Sequence, residues 1–178
     1  CAPICKSGED VGIILMVDRS DSTRTNGTKK KIEDAIANLA IPENTPLALY
    51  FEYHVKIDEP FGVSKGLNYG KHSTTTINST VQNKTITLWN QTSFNTAFYQ
   101  VKNDICKSKR KLLFLLWTDG QINHLGDAAR TNVTYFVDMN DIRRNCDNGS
   151  ELYVMTPNAI KTPYGDSKRY NFTQQSDM

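Results

Sequence analysis

Two uninterrupted apolar runs dominate the hydrophobic pattern, VGIILMV at 11–17 and LLFLLW at 112–117. Runs of this length, with no polar residue at alternate positions, predict strands covered on both faces. A third run, LALYFEYHV at 47–55, mixes aliphatic and aromatic residues and predicts another strand. Between the first and third, Ile32, Ala35, Ile36 and Leu39 recur at helical spacing, and Pro42 and Pro46 close that segment. Phe94, Ala97, Phe98, Val101 and Ile105 predict a second helix over 94–105. Shorter stretches at 85–89, 133–137 and 152–155 predict further strands, with a short helix over 140–145 between the last two. The polar stretch 64–81, rich in Gly, Ser and Thr, supports no assignment, and 157–178 has no strong helical periodicity.

Strands that alternate with helices predict an α/β domain: a doubly wound, mainly parallel central sheet flanked by helices. The expected organisation is a cysteine-containing N-terminal segment at 1–10, the α/β domain over 11–156, and a polar C-terminal segment at 157–178. In such sheets ligands sit beyond the carboxyl ends of the strands. Asp18 and Asp119 are each the first acid after a buried strand, so both are expected on that rim, on strands that are candidates to be neighbours.

That placement suggests a chemistry. The first run ends in Asp18-Arg19-Ser20-Asp21-Ser22, and the second in Thr118-Asp119-Gly120. Alternate residues of an extended turn point the same way, so Ser20 and Ser22 can present two hydroxyls to one point. Asp18 and Asp119 supply negative charge directly or through water. Such a set of hard oxygen donors suits magnesium, with manganese or calcium as alternatives. A helix N-cap or a side-chain-bonded turn also explains Asp18, Ser20 and Ser22 when they are taken alone.

These residues resemble the von Willebrand factor type A family, which includes the inserted domains of some integrins. The family's metal-ion-dependent adhesion site combines D-x-S-x-S after the first strand, a threonine in a second loop, and the aspartate of a T-D-G turn after the fourth strand. Asp18, Ser20, Ser22 and Asp119 match in that order, and Thr92 in NQTSFNTAF is the best match for the threonine, with Ser93 its competitor. The resemblance spans most of the chain, roughly 11–155. Asp21 stands where the family usually has glycine, adding a carboxylate beside the site, and Asn90 and Gln91 replace the small residues expected before the threonine.

Composition narrows compartment and partner. The pattern Asn-x-Ser/Thr without proline occurs at Asn26, Asn78, Asn83, Asn90, Asn132, Asn148 and Asn171, which predicts a secreted glycoprotein or the extracellular part of a cell-surface protein. The four cysteines, Cys1, Cys5, Cys106 and Cys146, lack zinc-site spacing and predict two disulfides, with three connectivities open and Cys1–Cys5 plus Cys106–Cys146 weakly preferred. No stretch is apolar enough to insert directly into a membrane, and no signal peptide opens the sequence, so a mature chain starting near Cys1 is expected. The formal net charge of +2 and mixed-sign surface argue against nucleic acid.

The resemblance therefore implies an extracellular adhesion or ligand-binding domain. Its rim cation, short of anionic ligands, takes an acidic residue of a partner protein. The alternative is a metal-independent scaffold module of a secreted glycoprotein. Arg19, Arg24 and His124 are candidates to border the contact, while Trp117 and the run Tyr50, Phe51 and Tyr53 are expected in the core, with Trp117 also a candidate ligand contact. His54, His72 and His124 are scattered and read as surface or loop residues. The sequence contains no phosphate-cradling P-loop, G-x-S-x-G elbow or G-x-G-x-x-G turn, so no enzyme is expected.

Overall fold

A computed structural model of the chain describes residues 11–19, 23–24, 27–42, 45–52, 63–83, 111–119, 150–157 and 168–171. The apolar runs form the middle of a six-stranded sheet. Its strands are β1 (Val11–Asp18), β2 (Leu47–Glu52), β3 (Val63–Gly70), β4 (Lys111–Trp117), β5 (Glu151–Thr156) and β6 (Lys168–Asn171), in the order β3-β2-β1-β4-β5-β6. All neighbours are parallel except β3, which runs antiparallel to β2. The two most apolar strands pair directly, from Val11 opposite Lys111 to Val17 opposite Trp117.

Burial on both faces explains why these strands lack alternation. Ile13, Leu15, Val17, Leu49, Phe51, Leu115, Trp117 and Met155 belong to one core layer, together with residues of the two described helices, α1 (Thr28–Ala37) and α2 (Thr74–Asn83). The intervening residues Ile14, Met16, Ala48, Tyr50, Phe114, Leu116 and Val154 are fully buried as well. A mainly parallel sheet covered on both sides is the α/β arrangement expected from the sequence.

Helix α1 forms where the spacing of Ile32, Ala35, Ile36 and Leu39 places it. Thr28, Ile32, Ala35 and Ile36 face the sheet, and the ion pairs Lys29–Glu33 and Lys30–Asp34 each join residues one turn apart along the helix. Gly27 precedes it with φ 75, a left-handed conformation that glycine adopts without a Cβ penalty. At the other end Asn38 donates its backbone and side-chain N–H groups to the Asp34 carbonyl.

Three elements stand where the hydrophobic pattern assigns none. The stretch 64–81, which the pattern leaves unassigned, supplies β3 and α2. Helix α2 presents only Ile77 and Val81 to the core, one turn apart, in a run otherwise made of Thr, Ser, Asn and Gln. Too few apolar positions recur to reveal a period, and threonine is a poor helix former. The helix starts because Ser73 caps it: the Ser73 side chain accepts from the Thr76 N–H at 3.1 Å. The polar segment after 156 supplies β6, which joins the sheet beside β5 and carries it to Asn171.

The expected strands at 85–89 and 133–137 and the helices at 94–105 and 140–145 lie outside the described residues, as do all four cysteines.

Candidate metal centre

Strand order locates the site. From β1 the sheet grows through β2 and β3 on one side and through β4, β5 and β6 on the other, so the connections diverge between β1 and β4. A crevice forms at such a switch point, beyond the carboxyl ends of the two strands. Asp18 is the last residue of β1, and Thr118 and Asp119 follow the last residue of β4.

The register sets these groups side by side. Val17 lies opposite Trp117, so Asp18 and Thr118 are next in line across the two strands. The Thr118 hydroxyl donates to Asp18 Oδ2 at 2.7 Å, a buried bond between residues 100 positions apart. The Thr118 N–H donates in turn to the Met155 carbonyl at 3.1 Å, tying the start of the T-D-G turn to β5. Asp18 is fully buried, whereas Asp119 is partly exposed at the rim. One carboxylate is thus fully buried and the other partly exposed, at adjacent strand ends.

Arg19 leaves the rim and enters the core. Its guanidinium donates from Nη2 to the Val81 carbonyl in the last turn of α2 at 2.6 Å, lies 3.5 Å from Glu33 Oε1 of α1, and has its Cζ 5.6 Å from the centre of the Phe51 ring. The side chain has no solvent exposure. Burial pushes the Arg19 pKa below its ordinary value, opposed by the negative charges of Glu33 and Asp18. This corrects the expectation that Arg19 borders a partner contact, which a fully buried side chain cannot do. Arg24 is exposed. His124 lies outside the described residues.

Of the five expected ligands, the structure brings Asp18 and Asp119 to adjacent strand ends; Ser20, Ser22 and Thr92 lie outside the described residues. Among the described residues no group of three or more His, Cys, Asp or Glu gathers as a metal cluster. The expected set does not require one, since it contains only two carboxylates. The donor chemistry fits a hard divalent cation: carboxylate and hydroxyl oxygens, with no thiol or imidazole among the described groups of this rim.

The remaining candidates are distributed over the fold. Asn78 sits partly buried on α2, Asn83 ends that helix, and Asn171 ends β6, while Asn26, Asn90, Asn132 and Asn148 lie outside the described residues. Trp117 is fully buried, which assigns it to the core and excludes it as a ligand contact. Tyr50 and Phe51 are likewise buried, and Tyr53 lies outside the described residues. His72 donates from its ring to the Asn68 carbonyl at 2.7 Å, a local contact beside β3. Sequence reasoning did not single out Thr118 as the hydrogen-bond partner of Asp18. Its position directly after a buried strand, beside an acid, was the available signal. No helix among the described residues is long and apolar enough to cross a membrane.

No protein-family model matches the sequence, and no curated protein matches it. Solved structures do match the fold. Proximal thread matrix protein 1 from the mussel byssus superposes with a TM-score of 0.64 at 14% identity, over 94% of this chain and 45% of that one. A structure of the same mussel protein with a zinc-occupied MIDAS motif gives 0.58 at 15% identity, over 94% and 43%. The manganese-loaded TRAP protein of Plasmodium vivax gives 0.59 at 16% identity, over 93% of this chain and 70% of that chain. The chain thus spans less than half of the mussel protein. With the strand order and the acids at the β1/β4 switch point, these likenesses show that the chain has the fold of the von Willebrand factor type A domain.

Proposed function

We propose that this chain is an extracellular, divalent-cation-dependent adhesion or ligand-binding domain. The observation that carries the reading is the meeting of Asp18 and Thr118-Asp119 at the ends of β1 and β4. The metal-loaded state of two proteins of the same fold supports it. So do the seven sequons, which favour a secreted or cell-surface setting.

In this reading Asp18, Ser20, Ser22, Thr92 and Asp119 hold the cation, magnesium first, with manganese or calcium as substitutes. Two carboxylates and three neutral hydroxyls leave the ion electrophilic when bound, so that it attracts a carboxylate from a partner protein. The chain's own part is to hold charge in place. Thr118 keeps one Asp18 oxygen oriented, and the buried sheet beneath keeps both strand ends rigid. The reading assigns no catalytic step, and binding of an acidic protein ligand is the whole function.

Isothermal titration tests it. Chelator-stripped protein titrated with Mg2+, Mn2+ and Ca2+ is expected to bind near one ion per chain, and Asp119→Ala is expected to abolish binding while circular dichroism stays unchanged. If neither protein binds a cation, the metal-independent scaffold reading takes its place and the partner surface lies away from Asp18 and Asp119.

A further inference from the structure

Arg19 occupies the middle of the Asp18-Arg19-Ser20 triplet, yet it contributes nothing to the ligand chemistry just described. In extended backbone, neighbouring residues project to opposite sides. Asp18 is engaged at the strand ends with Thr118, while Arg19 crosses to the face of the sheet on which α1 and α2 pack. There one guanidinium joins three elements: the last turn of α2 through the Val81 carbonyl, α1 through Glu33, and β2 through the face of Phe51.

The choice of residue is informative because it is a poor one for stability alone. Nε and Nη1 of Arg19 are buried without a hydrogen-bond partner among the described residues. Burying a charge and leaving two donors unused is costly, and an apolar side chain of similar volume often fills such a space at no loss of stability. Glu33 does not depend on Arg19 for charge compensation, because Lys29 lies 3.7 Å from it and its side chain keeps 13% exposure. What an apolar replacement loses is direction. The carbonyl in the last turn of α2 carries the negative end of the helix dipole, and a forked cation bound there has a defined orientation.

We propose that Arg19 is a positioning residue for the cation site, anchoring the chain where it leaves β1 so that the preceding Asp18 is held beside Thr118 before an ion arrives. The proposal rests on the metal-binding reading above and adds a residue to it. Helices α1 and α2, neither of which supplies an expected ligand, thereby act on the affinity of the site. An anchor that holds Asp18 in place before binding removes its ordering cost from the binding step.

The test compares wild type, Arg19→Met and Arg19→Lys, measuring Mn2+ affinity by titration and the melting temperature of the chelator-stripped protein. Arg19→Met is expected to melt within a few degrees of wild type and to bind Mn2+ about tenfold more weakly. Arg19→Lys, which keeps charge but not the fork, is expected to fall between them. A purely structural residue would show the reverse: a lower metal-free melting temperature and an unchanged affinity of the folded protein. That result overturns the proposal. Should Arg19→Met fail to fold, Glu33→Gln loosens the same anchor from the α1 side. A two- to threefold weaker Mn2+ affinity supports the proposal, and an unchanged one overturns it. Absence of Mn2+ binding by wild type is a different failure, which removes the metal-binding reading itself and this inference with it.

Discussion

The Thr118 hydroxyl donates to Asp18 Oδ2 across the β1/β4 pair at 2.7 Å, joining residues 100 positions apart at the point where the sheet's connections diverge. The bond orients a fully buried carboxylate and connects the two motifs that the sequence presents separately. Its removal has a definite consequence. Thr118→Val keeps the shape but withdraws a donor from a buried carboxylate, and is expected to destabilise the fold by about 1.5–3 kcal/mol. Thr118→Ser, which keeps the hydroxyl, is expected to cost less. Urea denaturation of the three metal-free proteins measures both differences.

Cation binding to the native state alone raises apparent stability by mass action. At a hundredfold excess of cation over its dissociation constant the gain is about 2.7 kcal/mol. Thermal melts are therefore expected to shift upward with Mg2+ or Mn2+ and to return to the metal-free value with chelator. In Asp119→Ala the shift is expected to vanish while the metal-free melt stays close to wild type, because Asp119 sits partly exposed at the rim. A cation-induced shift of normal size in that variant would remove Asp119 from the ligand set.

Gly66 in β3 lies against the sheet's neighbouring strand with no room for a side chain. A Cβ there would meet Phe51 Cε2 at 2.7 Å and Leu49 at 3.1 Å, and the Phe51 ring is fully buried and cannot swing aside. Gly66→Ala is expected to cost about 1–3 kcal/mol by overpacking. Since Phe51 also faces Arg19, the same substitution is expected to weaken cation binding. Denaturation and titration of the one variant check both effects.

Gly27 presents the opposite case. It has open space around its Cα but a φ of 75, so the cost of a side chain is conformational. Gly27→Ala is expected to destabilise by roughly 1–2 kcal/mol, and Gly27→Asn by less, because asparagine tolerates the left-handed region. Equal denaturation midpoints for Gly27→Ala and wild type would show that α1 begins in another way.

The sequence by itself determined the centre of this protein. Residues 11–17 and 112–117 are apolar at every position, as a strand buried on both faces requires, and an acid follows each run within two residues. The alternation of strands and helices then carried the fold class, and the place of Asp18 and Asp119 after buried strands carried the expectation that they share a rim. Helix α1 was equally legible, because four apolar residues repeat at its period and prolines close it.

Tertiary structure decided what local pattern leaves open. Helix α2 exists on two apolar contacts and a serine cap, and β6 is a short polar strand whose place comes from pairing with β5. Neither has a periodicity of its own, so their conformations follow from the surface already formed beneath them. The direction of Arg19 was hidden for a related reason. A charged residue beside a site reads as exposed, and only the convergence of Glu33, Val81 and Phe51, from three elements distant in sequence, provides the partners that let it be buried. Local sequence sets which strands must be covered; long-range packing sets which polar groups are covered with them.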